Sequence, residues 1–351
     1  MLLTSNVNAS ESYVVFVRVT DPHLGANASA EQNWNLTLDY INVNVSDAKA
    51  VFITGDWIQD GSDPNVIVEF VNKTNQRLND NIAWYLVHGD HENENWTDPW
   101  VIDGKNVPRI VYPSLCYQYV PDENLPAMDY TVTLGKANLI CLGVDYKALN
   151  YHYPEYGFDA DLVGNDTQLE WLKNNLKIGR VNIILCHWQI FPSSVDGWKP
   201  IHPENYSKWQ NTLKDYADSH LCNILILTGH LHIMHGNTWL TPSELVYNDG
   251  VYQRIEVPSY DNVTEWIPNI EIYTVYDNGT VIMENRHIPD GNLLFKYRFD
   301  DMLAYETPPS TNQNSESNPI ISSDFIQQLT LLLVTIVLLS ICLSLITKRG
   351  R

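Results

Sequence analysis

The sequence predicts an α/β sandwich with mixed sheets, followed by a single apolar helix at the C-terminus. Three observations predict it. Short runs of β-branched and aromatic residues recur over the first 300 positions, helical periodicities lie between several of them, and an uncharged stretch, Phe325–Thr347, nearly closes the chain.

The strand-like runs are Tyr13–Val19, Ala50–Thr54, Ile82–Val87, Asp129–Leu134, Ala137–Val144, Val181–Leu185, Asn223–Leu227, Val251–Val257, Glu271–Tyr276, Thr280–Glu284 and Leu293–Tyr297. Trp34, Leu38, Ile41 and Val45 recur at helical spacing between the first two runs. Thr167 followed by Glu170 reads as a capping box ahead of Leu169, Leu172 and Leu176. Strands interleaved with helices and then a strand-rich C-terminal third argue for mixed sheets. The folded domain is expected over residues 12–303.

Composition narrows the function classes. With 11 Trp, 20 Tyr and 8 Phe in 351 residues the chain can bury a sizeable core, which excludes a disordered acidic tail. Five Cys exclude a disulfide-stapled module. Lys348, Arg349 and Arg351 are three of the 21 basic residues, so only 18 precede them, against 42 acidic ones. A surface of that sign repels polyanions, and a nucleic-acid scaffold is not expected.

The 23 residues of Phe325–Thr347 would span about 34 Å as a helix, enough for the roughly 30 Å hydrocarbon layer. A transmembrane helix at 325–347 followed by the basic tail 348–351 places that tail in the cytoplasm and the folded domain on the other side. Residues 304–324, rich in Pro, Ser, Thr and Asn, read as a flexible stalk. Asn-x-Ser/Thr acceptors at Asn8, Asn27, Asn35, Asn44, Asn72, Asn95, Asn165, Asn205, Asn262 and Asn278 exceed the roughly four expected by chance and suggest a glycoprotein. Met1–Glu11 has neither the basic start nor the apolar run of a secretory signal, which leaves insertion to the anchor or to a start within a longer gene product. Cys141, Cys186 and Cys222 lie in or beside apolar runs and read as small buried hydrophobes, while Cys342 falls in the span.

Five strand-like runs end in residues that bind metals. Tyr13–Val19 leads to Asp21 and His23, Ala50–Thr54 to Gly55-Asp56, and Ile82–Val87 to Gly89-Asp90-His91-Glu92. Val181–Leu185 leads to His187, and Asn223–Leu227 to Gly229-His230-Leu231-His232. Carboxyl ends of strands form the ligand crevice of open α/β sheets, so these residues converge on one edge. In extended chain, residues two apart point the same way, so Asp21 with His23 and His230 with His232 would each offer paired donors. The glycines suit sharp turns beside an ion. Three carboxylates and four imidazoles are too many donors for one ion; two ions sharing a carboxylate use all seven and can hold a hydroxide that attacks a phosphoryl group. His91 beside them is the candidate general acid for the leaving alkoxide.

At these residues the chain resembles the calcineurin-like metallophosphoesterase superfamily, whose D-x-H, G-D-x-x-D, G-N-H-E/D, H and G-H-x-H pattern is matched in order over about residues 13–235. The resemblance implies a four-layer α/β/β/α sandwich with two mixed sheets and a dinuclear centre. One metal would take Asp21, His23, Asp56 and His232, and the other Asp56, Asp90, His187 and His230, with Asp56 bridging. His91 falls where the family protonates or orients the leaving group, and Asp60 and Glu92 would orient ligands. Asp90 stands where the family usually has Asn, which adds negative charge at the second ion. The purple acid phosphatase branch has Tyr three residues after the bridging Asp, where this chain has Gln59. A phenolate-bound ferric ion is therefore not expected, which leaves Mn²⁺, Fe²⁺ or Zn²⁺.

The expected activity is metal-dependent hydrolysis of a phosphomonoester, phosphodiester or pyrophosphate in a phosphorylated small molecule or lipid. The alternative is a catalytically inactive surface glycoprotein that keeps the fold to bind a partner. Trp57, Trp96, Trp100, Trp188 and Trp198 crowd the motifs, as a rim or as a platform for substrate. His88 precedes its turn and is expected to face away, and His152, His202, His220, His235 and His287 read as packed or solvated.

Overall fold

A computed structural model of the chain describes residues 12–59, 64–89, 91, 100–102, 105–107, 111–112, 118–119, 129–143, 166–191, 203–229, 245–255 and 268–305. All of them belong to one compact unit, Met1–Pro308. Residues 306–324 of the expected stalk and the apolar span at 325–347 lie outside the described residues, whereas Ala304 and Tyr305, expected to open the stalk, are hydrogen-bonded to the folded domain instead. No helix among the described residues is long and apolar enough to cross a membrane.

Two six-stranded sheets carry the fold. The first has the order β16-β15-β14-β1-β2-β3, from β1 (Tyr13–Val19), β2 (Ala50–Thr54), β3 (Ala83–Val87), β14 (Asn269–Tyr276), β15 (Val281–His287) and β16 (Leu293–Phe299). The second has the order β12-β13-β11-β10-β9-β8, from β8 (Tyr130–Leu134), β9 (Ala137–Leu142), β10 (Val181–Cys186), β11 (Ile224–Thr228), β12 (Leu245–Asn248) and β13 (Val251–Ile255). Both are mixed. β1, β2 and β3 run parallel while β14, β15 and β16 join antiparallel. β9, β10, β11 and β13 run parallel with β8 and β12 antiparallel at the edges. Two small hairpins, β4 (Trp100–Ile102) with β5 (Lys105–Val107) and β6 (Val111–Tyr112) with β7 (Gln118–Tyr119), lie between β3 and β8.

Strand periodicity decides the layering. Val15, Val17 and Val19 face helices α1 (Ala28–Asn44) and α2 (Pro64–Arg77), while Phe16 and Phe52 face the other sheet together with Leu139 and Ile183. The opposite face of the second sheet, with Ile140 and Ile184, packs on α3 (Asp166–Asn175) and α4 (Pro203–His220). Three apolar layers between four tiers of elements give the α/β/β/α sandwich. Strands covered on both faces, such as β2, β9, β10 and β11, are buried at every residue, which explains their predominantly apolar sequence.

The helices form for local reasons. Asn27 caps α1, its Oδ1 accepting from Ala30 N at 2.9 Å, and Trp34, Leu38 and Ile41 bury the predicted stripe. Trp34 stacks on Phe70 of α2 with ring centroids 5.1 Å apart and donates Nε1–H to Thr74 Oγ1 at 3.1 Å. Proline opens both α2 and α4, where its missing N–H leaves no bond unmade. Helix α3 starts at Asp166, so Thr167 sits inside its first turn and the predicted capping box is not what begins it. Replacing Asn27 with Ala is expected to cost about 1 kcal/mol of stability in urea unfolding, with the slope of the transition unchanged.

After β16 the chain is strapped along the second sheet. Asn223 N donates to Asp301 O at 2.7 Å, Ala304 N to Arg180 O at 3.0 Å and Tyr305 N to His220 O at 3.1 Å, and Leu303 bridges to Val181. These partners lie at the N-terminal ends of β10 and β11. Cys141, Cys186 and Cys222 are free and buried, as the sequence suggested. Burial pushes the Cys186 thiol up to about 12 and that of Cys222 up to about 11, so neither is a reactive thiolate at neutral pH.

Candidate metal centre

The C-terminal ends of β1, β2, β3 and β10 meet at one edge, and Asp21, His23, Asp56, His91 and His187 converge there. The Asp56 carboxylate is the hub. Its Oδ2 lies 3.1 Å from His187 Nε2, 3.8 Å from His23 Nε2 and 4.0 Å from His91 Nε2. Two groups of donors, His23–Asp56–His91 and Asp21–Asp56–His187, each have ligand atoms within 4.8 Å of one another. Ligands about 2.1 Å from a common ion lie roughly 3–4 Å apart, so these spacings suit coordination. Imidazole nitrogen with carboxylate oxygen is a donor set for Zn²⁺, Mn²⁺ or Fe²⁺.

The backbone explains how the donors turn inward. Asp21, His23 and Asp56 have φ of 51°, 44° and 47°, and Gly55 has φ of 89°. The loop after β1 runs beside the loop after β2, with Asp21 N donating to Gly55 O at 3.1 Å and His23 N to Asp56 O at 2.8 Å. Left-handed conformations are uncommon for residues other than glycine and accumulate at functional sites.

Those φ values also correct one expectation. Asp21 and His23 are not in extended chain, so the alternation that would aim them together does not apply. Both reach Asp56, but Asp21 groups with His187 and His23 with His91. His91, expected beside the ligands but not among them, comes within ligand distance of His23 and Asp56.

The glycines act mainly through space. Gly55 has the positive φ of a sharp turn, but a Cβ there would also fall on the His187 ring. Gly89 and Gly229 are not at positive φ. A Cβ at Gly89 would fall on Asp56, and one at Gly229 on Thr20 Oγ1 and the Asp21 carboxylate. These positions stay bare so that donors from separate strands can close up.

Partner groups set the imidazole tautomers. His187 donates Nδ1–H to Thr54 O at 3.0 Å, which turns Nε2 toward Asp56. His91 donates Nδ1–H to Gln59 O at 2.7 Å, and its backbone N–H donates to Asp56 Oδ1 at 3.1 Å. The single proton of the Thr20 hydroxyl is shared between the Asp21 carboxylate and Thr54 O. Exposure separates the roles: the His91 side chain is 21% exposed, against 4% or less for His23, Asp56 and His187. His91 stands at the mouth and the others form the floor.

Asp60, Asp90, Glu92, His230 and His232 lie outside the described residues, as do Trp96 and Trp198. Gly229, which precedes His230, meets the site through its N–H to His187 O at 3.0 Å. Trp57 and Trp188 are buried, Trp57 with its ring centroid 5.1 Å from that of Phe70, so these two support the edge from within. His88 is buried against Trp57, with ring centroids 5.8 Å apart, and belongs to neither donor group. His220 and His287 are surface residues paired with Tyr305 O and Asp290. Sequence reading passed over Thr20 and Thr54, whose place beside the motifs was the available signal. It also passed over Arg18, which had none.

The fold and its edge have counterparts in solved structures. A purple acid phosphatase from seeds of yellow lupin, Lupinus luteus, aligns at a TM-score of 0.54 and 16% identity, covering 87% of this chain. This chain spans 58% of the lupin protein's length. A dimetal phosphatase from Danio rerio aligns at a TM-score of 0.53 and 12% identity, covering 83% of this chain and 99% of its own. At these identities the likeness is one of fold. No curated protein matches the chain by sequence. The family model described as calcineurin-like phosphoesterase matches residues 15–234, more than half of the chain and the run from within β1 through the Gly-His-Leu-His segment. Motif order, converging donors and fold agree with that match: the chain belongs to the calcineurin-like phosphoesterase family.

Proposed function

We propose that the chain is a membrane-tethered hydrolase whose metal edge takes two divalent ions, Mn²⁺, Fe²⁺ or Zn²⁺, and cleaves a phosphomonoester, phosphodiester or pyrophosphate. The observation that carries this reading is the sharing of Asp56 by two groups of donors. Bound there, a pair of ions would acidify a captured water and neutralise charge on a phosphoryl group. Asp56 would hold both, with Asp21, His23 and His187 described at the site and Asp90, His230 and His232 completing the set.

The chain's own residues do the rest. His187, fixed by Thr54 O, keeps Nε2 free to coordinate, and Thr20 holds the Asp21 carboxylate in one orientation. His91, fixed by Gln59 O and open to solvent, can carry a proton on Nε2 and deliver it to the departing alkoxide. An amide at Gln59 supplies no phenolate, which favours divalent ions over a ferric one. The substrate would be a phosphorylated small molecule or a lipid headgroup. The apolar stretch 325–347 would hold the chain in a membrane, with the folded domain extracytoplasmic and the basic tail in the cytoplasm.

The test uses the full-length chain. Phosphate release from a panel of mono- and diesters is expected with Mn²⁺, Fe²⁺ or Zn²⁺ and to vanish on chelation. A saturating ion is expected to raise the unfolding midpoint, by the equivalent of about 2.7 kcal/mol at a hundredfold excess over Kd. No turnover on any ester with ions bound would overturn the hydrolase reading. His91→Asn is expected to slow hydrolysis of alkyl esters by about 10²–10⁴-fold and of nitrophenyl esters far less, because only the poor leaving group needs the proton. Equal losses on both would make His91 a ligand instead.

A further inference from the structure

Directly beneath the metal edge, in the layer between the sheets, three ionised side chains are fully buried: Arg18, Glu271 and Arg254. Their neighbours in that layer are apolar, among them Phe16, Phe52, Leu139 and Ile183. Arg18 of β1 stands opposite Glu271 of β14 and donates NH1–H to its Oε2 at 2.9 Å. Arg254, from β13 of the other sheet, donates Nε–H to Glu271 Oε1 at 2.6 Å, and the Tyr273 hydroxyl donates to Oε2. Burying ions costs more than their attraction returns unless each is paired and hydrogen-bonded, and aliphatic side chains can fill such a layer as well or better. Cohesion alone therefore does not explain the cluster.

The remaining donors of Arg18 reach the site's supports. Nε–H donates to Thr54 Oγ1 at 3.0 Å and NH2–H to Thr228 O. Thr54 ends β2, two residues before Asp56, and its carbonyl accepts from His187 Nδ1 and from the Thr20 hydroxyl beside Asp21. Thr228 ends β11, directly before Gly229, whose N–H binds His187 O. One guanidinium thus ties three strand ends in two sheets, which its rigid planar fork of five donors allows. Asp21, His23, Asp56 and His91 come from the first sheet and His187 from the second, so a slip of an ångström between sheets would spoil the donor spacing.

Resting on the metal reading above, we infer that Arg18, held by Glu271, is a positioning residue that keeps the metal-bearing ends of the two sheets in register. It touches neither ion nor substrate and acts through Thr54 and Thr228.

The experiment compares full-length wild type with Arg18→Met, Thr54→Val and Met283→Ala. Met283 is buried in the same inter-sheet layer and belongs to no part of this network. Calorimetric titration with Mn²⁺ or Zn²⁺ is run well below each unfolding midpoint, together with unfolding in chelator and kcat and KM at saturating ion. Arg18→Met and Thr54→Val are expected to weaken ion binding at least tenfold and to lower kcat with KM within twofold. Met283→Ala is expected to lose stability with ion affinity unchanged. If Arg18→Met loses stability but binds ions as wild type does, the cluster is only a staple and the inference fails. If Arg18→Met does not fold, Thr54→Val, which changes no charge, decides: unchanged affinity overturns the inference. Weakened binding in a chain that hydrolyses nothing would sink the hydrolase reading and keep this one, and a wild type that binds no divalent ion would sink both.

Discussion

Asp56→Asn is expected to lower kcat by about 10³-fold or more, equivalent to at least about 4 kcal/mol of transition-state stabilisation, while leaving the fold intact. The carboxylate belongs to both donor groups, so its loss acts on both ions at once. Asparagine would set an NH₂ group or a neutral oxygen against three imidazoles whose Nε2 atoms lie within 4.0 Å of Oδ2. The backbone would not object. Asp56 has φ of 47°, a region that Asn enters more readily than other substituents with a side chain. Ion content measured on the purified variant is expected to fall below two per chain, with circular dichroism and the chelated unfolding midpoint close to wild type. A variant that hydrolyses at the parental rate would refute Asp56 as the shared ligand.

Glu271→Gln is expected to produce the largest loss of stability, about 3–5 kcal/mol in urea unfolding at neutral pH, because it leaves two buried guanidiniums facing a neutral amide. The pH dependence follows the same charge. Burial by itself would raise the Glu271 carboxyl, but Arg254, Arg18 and the Tyr273 hydroxyl outweigh it and hold the group below its ordinary value of 4.5. A lowered carboxyl contributes stability that is present above its unfolded value and lost as pH falls through the folded one. Wild type is therefore expected to weaken on acidification below about pH 4.5, and Glu271→Gln to show a flatter acid limb. Replacing Arg18, Glu271 and Arg254 together by Met is expected to regain most of the lost stability. If Arg18 positions the edge, that triple variant stays poor at binding ions even though it folds well.

The sequence made the strands and their chemistry readable because both are local. Tyr13–Val19 and Ala50–Thr54 match β1 and β2 residue for residue, since central strands covered on both faces are rich in β-branched and aromatic residues. Asp56, His91 and His187 were legible because each follows an apolar run and so falls at a strand end. The pairing within the site was not, because it depends on the left-handed backbone at Asp21 and His23, which no residue type there announces. Arg18 was illegible for another reason. In a strand it reads as an ordinary polar position, and only the register with β14, 253 residues away, brings Glu271 to it. Helices α2 and α4 escaped notice because Asn-rich and charged segments hide their apolar stripes.

The strap that ends at Tyr305 joins the second sheet where β10 and β11 begin, and His187 sits where β10 finishes, roughly 20 Å away along the strand direction. A sensor chip, resin or fluorescent label fixed at Tyr305 itself would therefore hold the folded domain at the starting ends of β10 and β11 and leave the donor edge open to incoming esters.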